Sequence, residues 1–343
     1  MKAKNTAKNI LCSLAIPVIV YVCFRVLCAL RGVSGYGTGA DLQTMIYTSV
    51  YSGLIALAMA VNLTSGRFDF SIGATMVLAI IFGGNIAKSM GLSGVLFLLV
   101  VVLTGLCIGA ISGLTYVLLK LPPMVVSLGL AMIYEAAGFM LNKAKGVNLI
   151  GKNDMLIFAS FPVNVILMAV VLVVTVILWD KTQFGYNRKA LAGGQKVTTD
   201  VGINEKKNAV ACYMISGALL GVAGCVYISK FGTVTPETGL SSSTYFMTAF
   251  LPMFIGNAIG KYSSVPLGVF IGAVTQAFIT SGFGKLGLSS SLQTVMNGVI
   301  VMLFLIYVSN SHLLVEQKLF KEKLERARAA RAVAETEVPR GKT

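Results

Sequence analysis

Apolar residues gather in ten stretches, at about 10–30, 44–62, 70–87, 94–119, 123–142, 161–179, 209–229, 243–256, 263–282 and 292–310. Most approach the ~20 residues a helix needs to cross a bilayer. The pattern predicts an all-α polytopic membrane protein with about ten transmembrane helices. Two stretches are irregular: 243–256 is short and contains Pro252, and 70–87 carries Gly73 and the pair Gly83–Gly84. Such interruptions predict short or broken helices, which membranes accommodate where neighbouring protein or a water-filled path satisfies the backbone.

Basic residues sort with alternate connections. With the N-terminus in the cytoplasm, inside segments hold 20 of the 28 Lys and Arg residues and outside segments hold 7, Arg25 lying within the first span. The positive-inside rule then predicts that both termini are cytoplasmic. Composition agrees: 56% of residues are hydrophobic and 12% charged, against ~25% charged in soluble domains. The net charge of +15 flanks the spans, so the expected partner is anionic membrane lipid and no nucleic acid. A transmembrane domain is expected over 1–315 and a charged cytoplasmic tail over 316–343. The six cysteines fall inside apolar segments without C-x-x-C spacing, and the single His312 has no companion ligands. Neither a disulfide framework nor a metal site is expected.

Within the spans, small residues recur every four positions: Gly105, Gly109 and Gly113, then Gly217 and Gly221, then Gly268 and Gly272. That spacing lets helix backbones approach closely and indicates a tightly packed bundle. Polar residues form three stripes. Ser127 and Glu135 share one face of 123–142, Gln276 and Thr280 one face of 263–282, and Gln293 and Asn297 one face of 292–310. Glu135 is the one acidic residue deep in a span, where exposure to lipid costs about 2.5 kcal/mol or more. Interhelical hydrogen bonding accounts for any one of these residues. Jointly they are candidates for a solute path.

A driving force must come from elsewhere. The nearest approach to a Walker A loop, Gly256 to Tyr262, is one residue short and ends in Tyr instead of Ser or Thr. No paired carboxylates or His–carboxylate relay suggest proton coupling, and Glu135 alone supports it weakly. The chain is read as a non-enzyme served by a separate energising subunit. The docking candidate is the long connection 180–208.

That connection carries Thr182, Gly185, Ala192, Gly193, Gly194, Gln195, Gly202 and Ile203 in the order T-x-x-G, A-G-G-Q and G-I. It resembles the cytoplasmic coupling loop of ribose-type ABC importer permeases, with a departure at Val197-Thr198-Thr199. Gly66, Asp69, Ser71 and Gly73 lie in G-R-F-D-F-S-I-G-A, which resembles that family's signature after the second helix. Asp69 also suits capping of the helix that follows. Pro122-Pro123 through Gly129 resembles a third family segment, and Gly256–Gly268 keeps the place of a fourth but loses its glycine pattern. The resemblance covers about residues 10–310.

It implies a multi-pass permease of the bacterial inner membrane, working as a dimer with a second copy or a paralogue. It would receive solute from an extracytoplasmic binding protein and pair with a tandem-cassette ATPase, which binds the ATP; the chain itself needs no cofactor. The expected solute is a small neutral one, most simply a monosaccharide such as ribose. A nucleoside or other small-solute permease of the same superfamily, or a proton-coupled secondary transporter, are the alternatives.

Overall fold

The computed structural model describes residues 2–33, 35–194, 198–199, 202–260, 264–306 and 310, with side chains from residue 14 onward except Asn142. Twelve α-helices of five residues or more are found among them. They are α1 (Lys2–Leu30), α2 (Gly39–Leu63), α3 (Ile72–Ser89), α4 (Gly94–Leu119), α5 (Pro123–Met140) and α6 (Val163–Asp180). After them come α7 (Gln183–Gly193), α8 (Glu205–Phe231), α9 (Ser243–Met247), α10 (Phe250–Ile259), α11 (Val265–Lys285) and α12 (Ser290–Ile306). Seven of these, α2 to α6, α8 and α11, are long and apolar enough to cross a membrane, and α12 and the Leu14–Leu30 part of α1 are shorter apolar helices. The chain is thus a polytopic all-α protein. It divides into two units, Met1–Gln293 and Thr294–Thr343. The tail 316–343 and Gln195 lie outside the described residues.

In the first unit α2 is the central helix. Leu54 to Val61 are all buried, as expected of a helix apolar on every side. Around it pack α8, α11 and α10, while α4, α5 and α6 send Leu103, Met132, Ile133 and Val170 outward. Exposed apolar faces of that kind suit lipid.

The expected glycine contacts are present. A Cβ on Gly105 would meet Gly217 O, one on Gly109 would meet Tyr213 O, and one on Gly217 would meet Gly105 O. The α4–α8 seam therefore brings main chain against main chain. The α10–α11 pair does the same through Gly256, Gly268 and Gly272, the last two facing Gly256 O and Pro252 O.

The two irregular stretches differ. α3 is one unbroken helix, because its glycines serve contacts and not a break: Gly83 faces Val101 and Thr104, and Gly84 faces Val147. The stretch 243–256 is broken into α9 and α10 after a non-helical run from Thr235 to Ser242. That run starts from a two-stranded antiparallel pair, Val147–Asn148 against Thr233–Val234. Asn85 Nδ2 donates to Gly146 O (3.0 Å) and Lys88 Nζ to Asn148 O (2.7 Å), so the end of α3 holds the pair in place.

Candidate functional site

The α7 end of the bundle is built from local rules first. Thr182 caps α7 by accepting the Gly185 N–H (3.4 Å), as an N-cap hydroxyl does. Gly185 lies directly against the main-chain oxygen of Trp179, where a Cβ has no room. These two contacts give T-x-x-G its physical meaning. Further on, Thr198 Oγ1 lies 2.7 Å from Gly194 O and 3.0 Å from Ala190 O and donates to them. A threonine at the departure from the family pattern thus closes the C-terminal turn of α7. Gly202 has φ 94°, a left-handed conformation that favours glycine. Asn204 then caps α8 by accepting the Lys207 N–H (3.0 Å). Ala192 and Gly193 are exposed, with open space around Gly193 and Gly194; Ile203 is half-buried.

Besides the Lys189–Asp180 ion pair to α6 (2.8 Å), α7 is fastened to the membrane helices by the side chain of Arg188. Arg188 is 2% exposed. Its guanidinium stacks 4.2 Å above the ring of Trp179, the single tryptophan of the chain, and its Nη1 donates to Thr64 Oγ1. Burial pushes the Arg188 guanidinium below its ordinary pKa. Thr64 is the C-cap of α2 and donates in turn to Ala60 O.

From Thr64 the chain makes a tight turn that buries Ser65, Arg67 and Asp69 and leaves Gly66 exposed. Gly66 N donates to Leu63 O (2.9 Å) and Arg67 N to Asn62 O (3.1 Å), a Schellman arrangement that places Gly66 at φ 77°. Arg67 is 0% exposed, with Nη2 3.6 Å from Glu205 Oε1 and the Tyr116 ring 5.8 Å away. Asp69 Oδ1 accepts from Ser71 N (2.8 Å) and Ser71 Oγ (2.6 Å), while Oδ2 accepts from Asn62 Nδ2 (3.2 Å). Asp69 therefore binds the residue just ahead of α3 instead of capping the helix's own first N–H groups. Burial raises its carboxyl pKa, and these hydrogen bonds oppose the rise.

Gly73, in the first turn of α3, faces the main-chain oxygen of Ser242 with no space for a Cβ. Here the broken segment meets α5. Glu135, 4% exposed, accepts from Leu240 N with Oε2 (2.8 Å) and from Ser242 N with Oε1 (3.0 Å). A carboxylate thus supplies acceptors that the non-helical run lacks. Beside it Glu237 accepts from Ser241 Oγ (2.7 Å) and Tyr245 Oη (3.0 Å), and Tyr245 Oη lies 3.4 Å from Tyr227 Oη.

The remaining candidates are dispersed. Ser127 Oγ donates to Met124 O (3.0 Å) within α5, Gln276 Nε2 donates to Thr280 Oγ1 (3.1 Å) within α11, and Gln293 Nε2 donates to Leu288 O (2.9 Å). α5 packs on α3 and α4, whereas α11 packs on α1, α2, α6 and α10. The first two stripes therefore do not share a packing face. Asn297 belongs to the second unit.

Sequence reasoning missed Arg188, Trp179, Glu237 and the role of Arg67. One signal was available: a lone tryptophan and an arginine flank the T-x-x-G motif. Their partner Thr64 stands 124 residues away, and nothing in the sequence points to it.

A bundle with seven helices long and apolar enough to cross a membrane defines a multi-pass membrane protein. The chain belongs to the family described as branched-chain amino acid transport system / permease component, whose model matches residues 42–307. Among curated proteins it is similar to the ribose import permease protein of Bacillus subtilis, 25% identical over 77% of this chain and 83% of that protein. It is likewise similar to the fructose import permease protein of Rhizobium meliloti, at 23% identity over 84% and 83%. The galactose/methyl galactoside import permease protein of Haemophilus influenzae is 26% identical over 73% of this chain and 80% of that protein. No solved structure matches the chain.

Proposed function

We propose that this chain is the membrane-spanning subunit of an ATP-binding-cassette importer that passes a monosaccharide into the cytoplasm. One observation carries the reading. α7 presents Tyr186, Ala190 and Gly193 on an exposed face, while its opposite face is locked to α2 and α6 through Arg188 and Gly185. A helix fixed to the bundle on one side and bare on the other suits a docking element for an ATPase of tandem cassettes. The similarity to import permeases named for ribose, fructose and galactose supports a sugar as the solute. In this reading the chain crosses the inner membrane ten times, α9 and α10 counting as one broken crossing. The α7 end and both termini face the cytoplasm, in accord with the 20-to-7 bias of basic residues. A second permease copy and an extracytoplasmic binding protein complete the assembly, and the chain contributes no cofactor. The polar residues Ser127, Glu135, Gln276, Thr280, Gln293 and Asn297 are proposed to serve the path or its packing.

A reconstituted system tests this. The permease, its ATPase and its binding protein in sealed proteoliposomes should take up radiolabelled ribose, fructose or galactose only when ATP is supplied on the ATPase side. Uptake that ignores ATP and collapses with a protonophore would refute the importer and favour a proton-coupled carrier. A bulky replacement at Gly193 has open space around it, whereas Gly194 at φ 158° would be strained by any side chain. The Gly193 variant should leave the permease folded and abolish solute-stimulated ATP hydrolysis.

A further inference from the structure

The reading of α7 as the ATPase-docking helix leaves open how a movement there enters the membrane helices. α7 follows α6 after only two residues, Lys181 and Thr182, so α6 is one obvious route. The contacts of Arg188 supply a second. Its side chain leaves the buried face of α7, crosses the Trp179 ring and ends on Thr64, the residue that closes α2. A guanidinium offers five donors in a rigid planar fork, yet Nε has no partner among the described residues. The side chain is therefore buried at some electrostatic cost for the sake of one directed hydrogen bond and one ring contact.

Beyond Thr64 the next residues are tied to one another and to α8. Ser65 Oγ lies 3.5 Å from Cys212 Sγ, Arg67 lies beside Glu205, and Asp69 grips Asn62 on one side of the turn and Ser71 on the other. The turn from Asn62 to Ser71 is held as a single block. Its far edge is Gly73, pressed on Ser242 of the non-helical run whose N–H groups Glu135 holds. Contiguous contacts thus run from α7 to the broken crossing.

We infer that Arg188 is a positioning residue for coupling: it transmits displacement of α7 to the α2–α3 turn, and through Gly73 to the broken segment before α9. This rests on the reading of α7 as the docking helix. Spatial continuity alone does not establish energetic coupling, so the test reads coupling directly. Arg188→Met keeps most of the side-chain length and its packing on Trp179 but removes the donor. Thr64→Val removes the acceptor from the other end at nearly constant volume.

Each variant, with the ATPase and the binding protein, is measured for assembly, basal ATP hydrolysis, stimulated hydrolysis and sugar taken up per ATP. The sugar is whichever of ribose, fructose and galactose the unaltered protein transports. Arg188→Met should assemble and hydrolyse ATP at the basal rate, with sugar per ATP falling at least tenfold. Thr64→Val should fall in the same direction, and the double variant no further than Arg188→Met alone, since both remove one link. Unchanged sugar per ATP in Arg188→Met overturns the inference. If Arg188→Met fails to assemble, Thr64→Val decides: uncoupled transport supports the link, and normal coupling reduces Arg188 to a structural anchor. Absence of ATP-dependent uptake by the unaltered protein would instead overturn the importer reading on which the inference rests.

Discussion

Where α4 crosses α8, main-chain oxygens of one helix lie against glycine Cα atoms of the other, and no polar side chain stands between them. A short way past the end of α8, the run from Thr235 to Ser242 is not helical and is only partly enclosed, Thr235, Thr238, Gly239 and Ser241 being exposed and Ser242 buried, and Glu135 reaches from α5 to bind two of its N–H groups. Both regions bring main chain against main chain, Gly105 on Gly217 in the first and Gly73 on Ser242 in the second. In the seam each helix satisfies its own hydrogen bonds, so the only requirement is the absence of side chains. In the broken segment the helix has been given up, and each freed N–H that is shut off from solvent needs an acceptor from elsewhere. The first region is made by leaving atoms out, the second by putting one charged group in. A segment held by two hydrogen bonds from Glu135 can let go without unpacking a helix pair, which makes the broken segment the part of the bundle better suited to move.

The sharpest way to break this comparison is to put atoms into the seam. A Leu at Gly217 would drive its Cβ into Gly105 O and the α4 backbone. Neither can retreat without separating the helices. Overpacking in a core costs about 1–3 kcal/mol and sometimes more, and backbone collisions belong at the upper end. Gly217→Leu should lose the folded protein, read as aggregation on size-exclusion chromatography in detergent. A monodisperse variant with an unchanged melting temperature would mean that the seam is not a rigid contact.

Gly73→Ala should come next. One methyl group would press on Ser242 O, but here the opposing main chain is a non-helical run, which yields more readily than a helix. A destabilisation of about 1–3 kcal/mol is expected, with the protein still folded and transport reduced. Thermal melting and uptake, measured together, check it. A loss as complete as that in Gly217→Leu would show that the broken segment is no softer than the seam.

How much of this was legible beforehand follows the same division. The seam was readable because a four-residue glycine spacing is a local pattern, and the helices lie close to the apolar stretches that predict them; α4 matches 94–119 residue for residue. The break at 243–256 showed in its short length and Pro252. The glycines of α3 misled in the other direction, because Gly83 and Gly84 answer to Val101, Thr104 and Val147 and not to a kink. Glu135 stood out as a buried acid, yet its partners could not be found. They are backbone N–H groups, which every residue but proline carries. Arg188 and Thr64 pair across the chain without a complementary charge, so neither signals the other. A polar stripe tells which face is inside, and the identity of the neighbour has to come from tertiary packing.

Replacing Glu135 with Gln isolates the charged clamp. The amide keeps one oxygen, so one of the Leu240 and Ser242 N–H groups keeps an acceptor, while the other meets an NH₂. Leaving a buried donor unsatisfied costs about 1–3 kcal/mol. Glu135→Gln should melt lower by that measure and transport modestly less, with uptake still dependent on ATP. Complete loss of transport in a protein that still assembles with its ATPase would place Glu135 in the transport chemistry itself.

The smallest effect should have the opposite sign. Gly129 lies on the exposed face of α5, and a Cβ built there meets nothing within 4 Å. It is a glycine in a helix with no close approach to serve, unlike Gly105, Gly109 or Gly217. Ala is about 1 kcal/mol better than Gly in a helix interior, because glycine gives up more backbone freedom on folding. Gly129→Ala should therefore raise the melting temperature slightly and leave transport unchanged. The contrast with Gly73→Ala is informative, since the same methyl group is added to the same residue type in both. If Gly129→Ala were instead destabilising, the outer face of α5 would have to be occupied in the assembled transporter, and the glycine would belong with those of the seam.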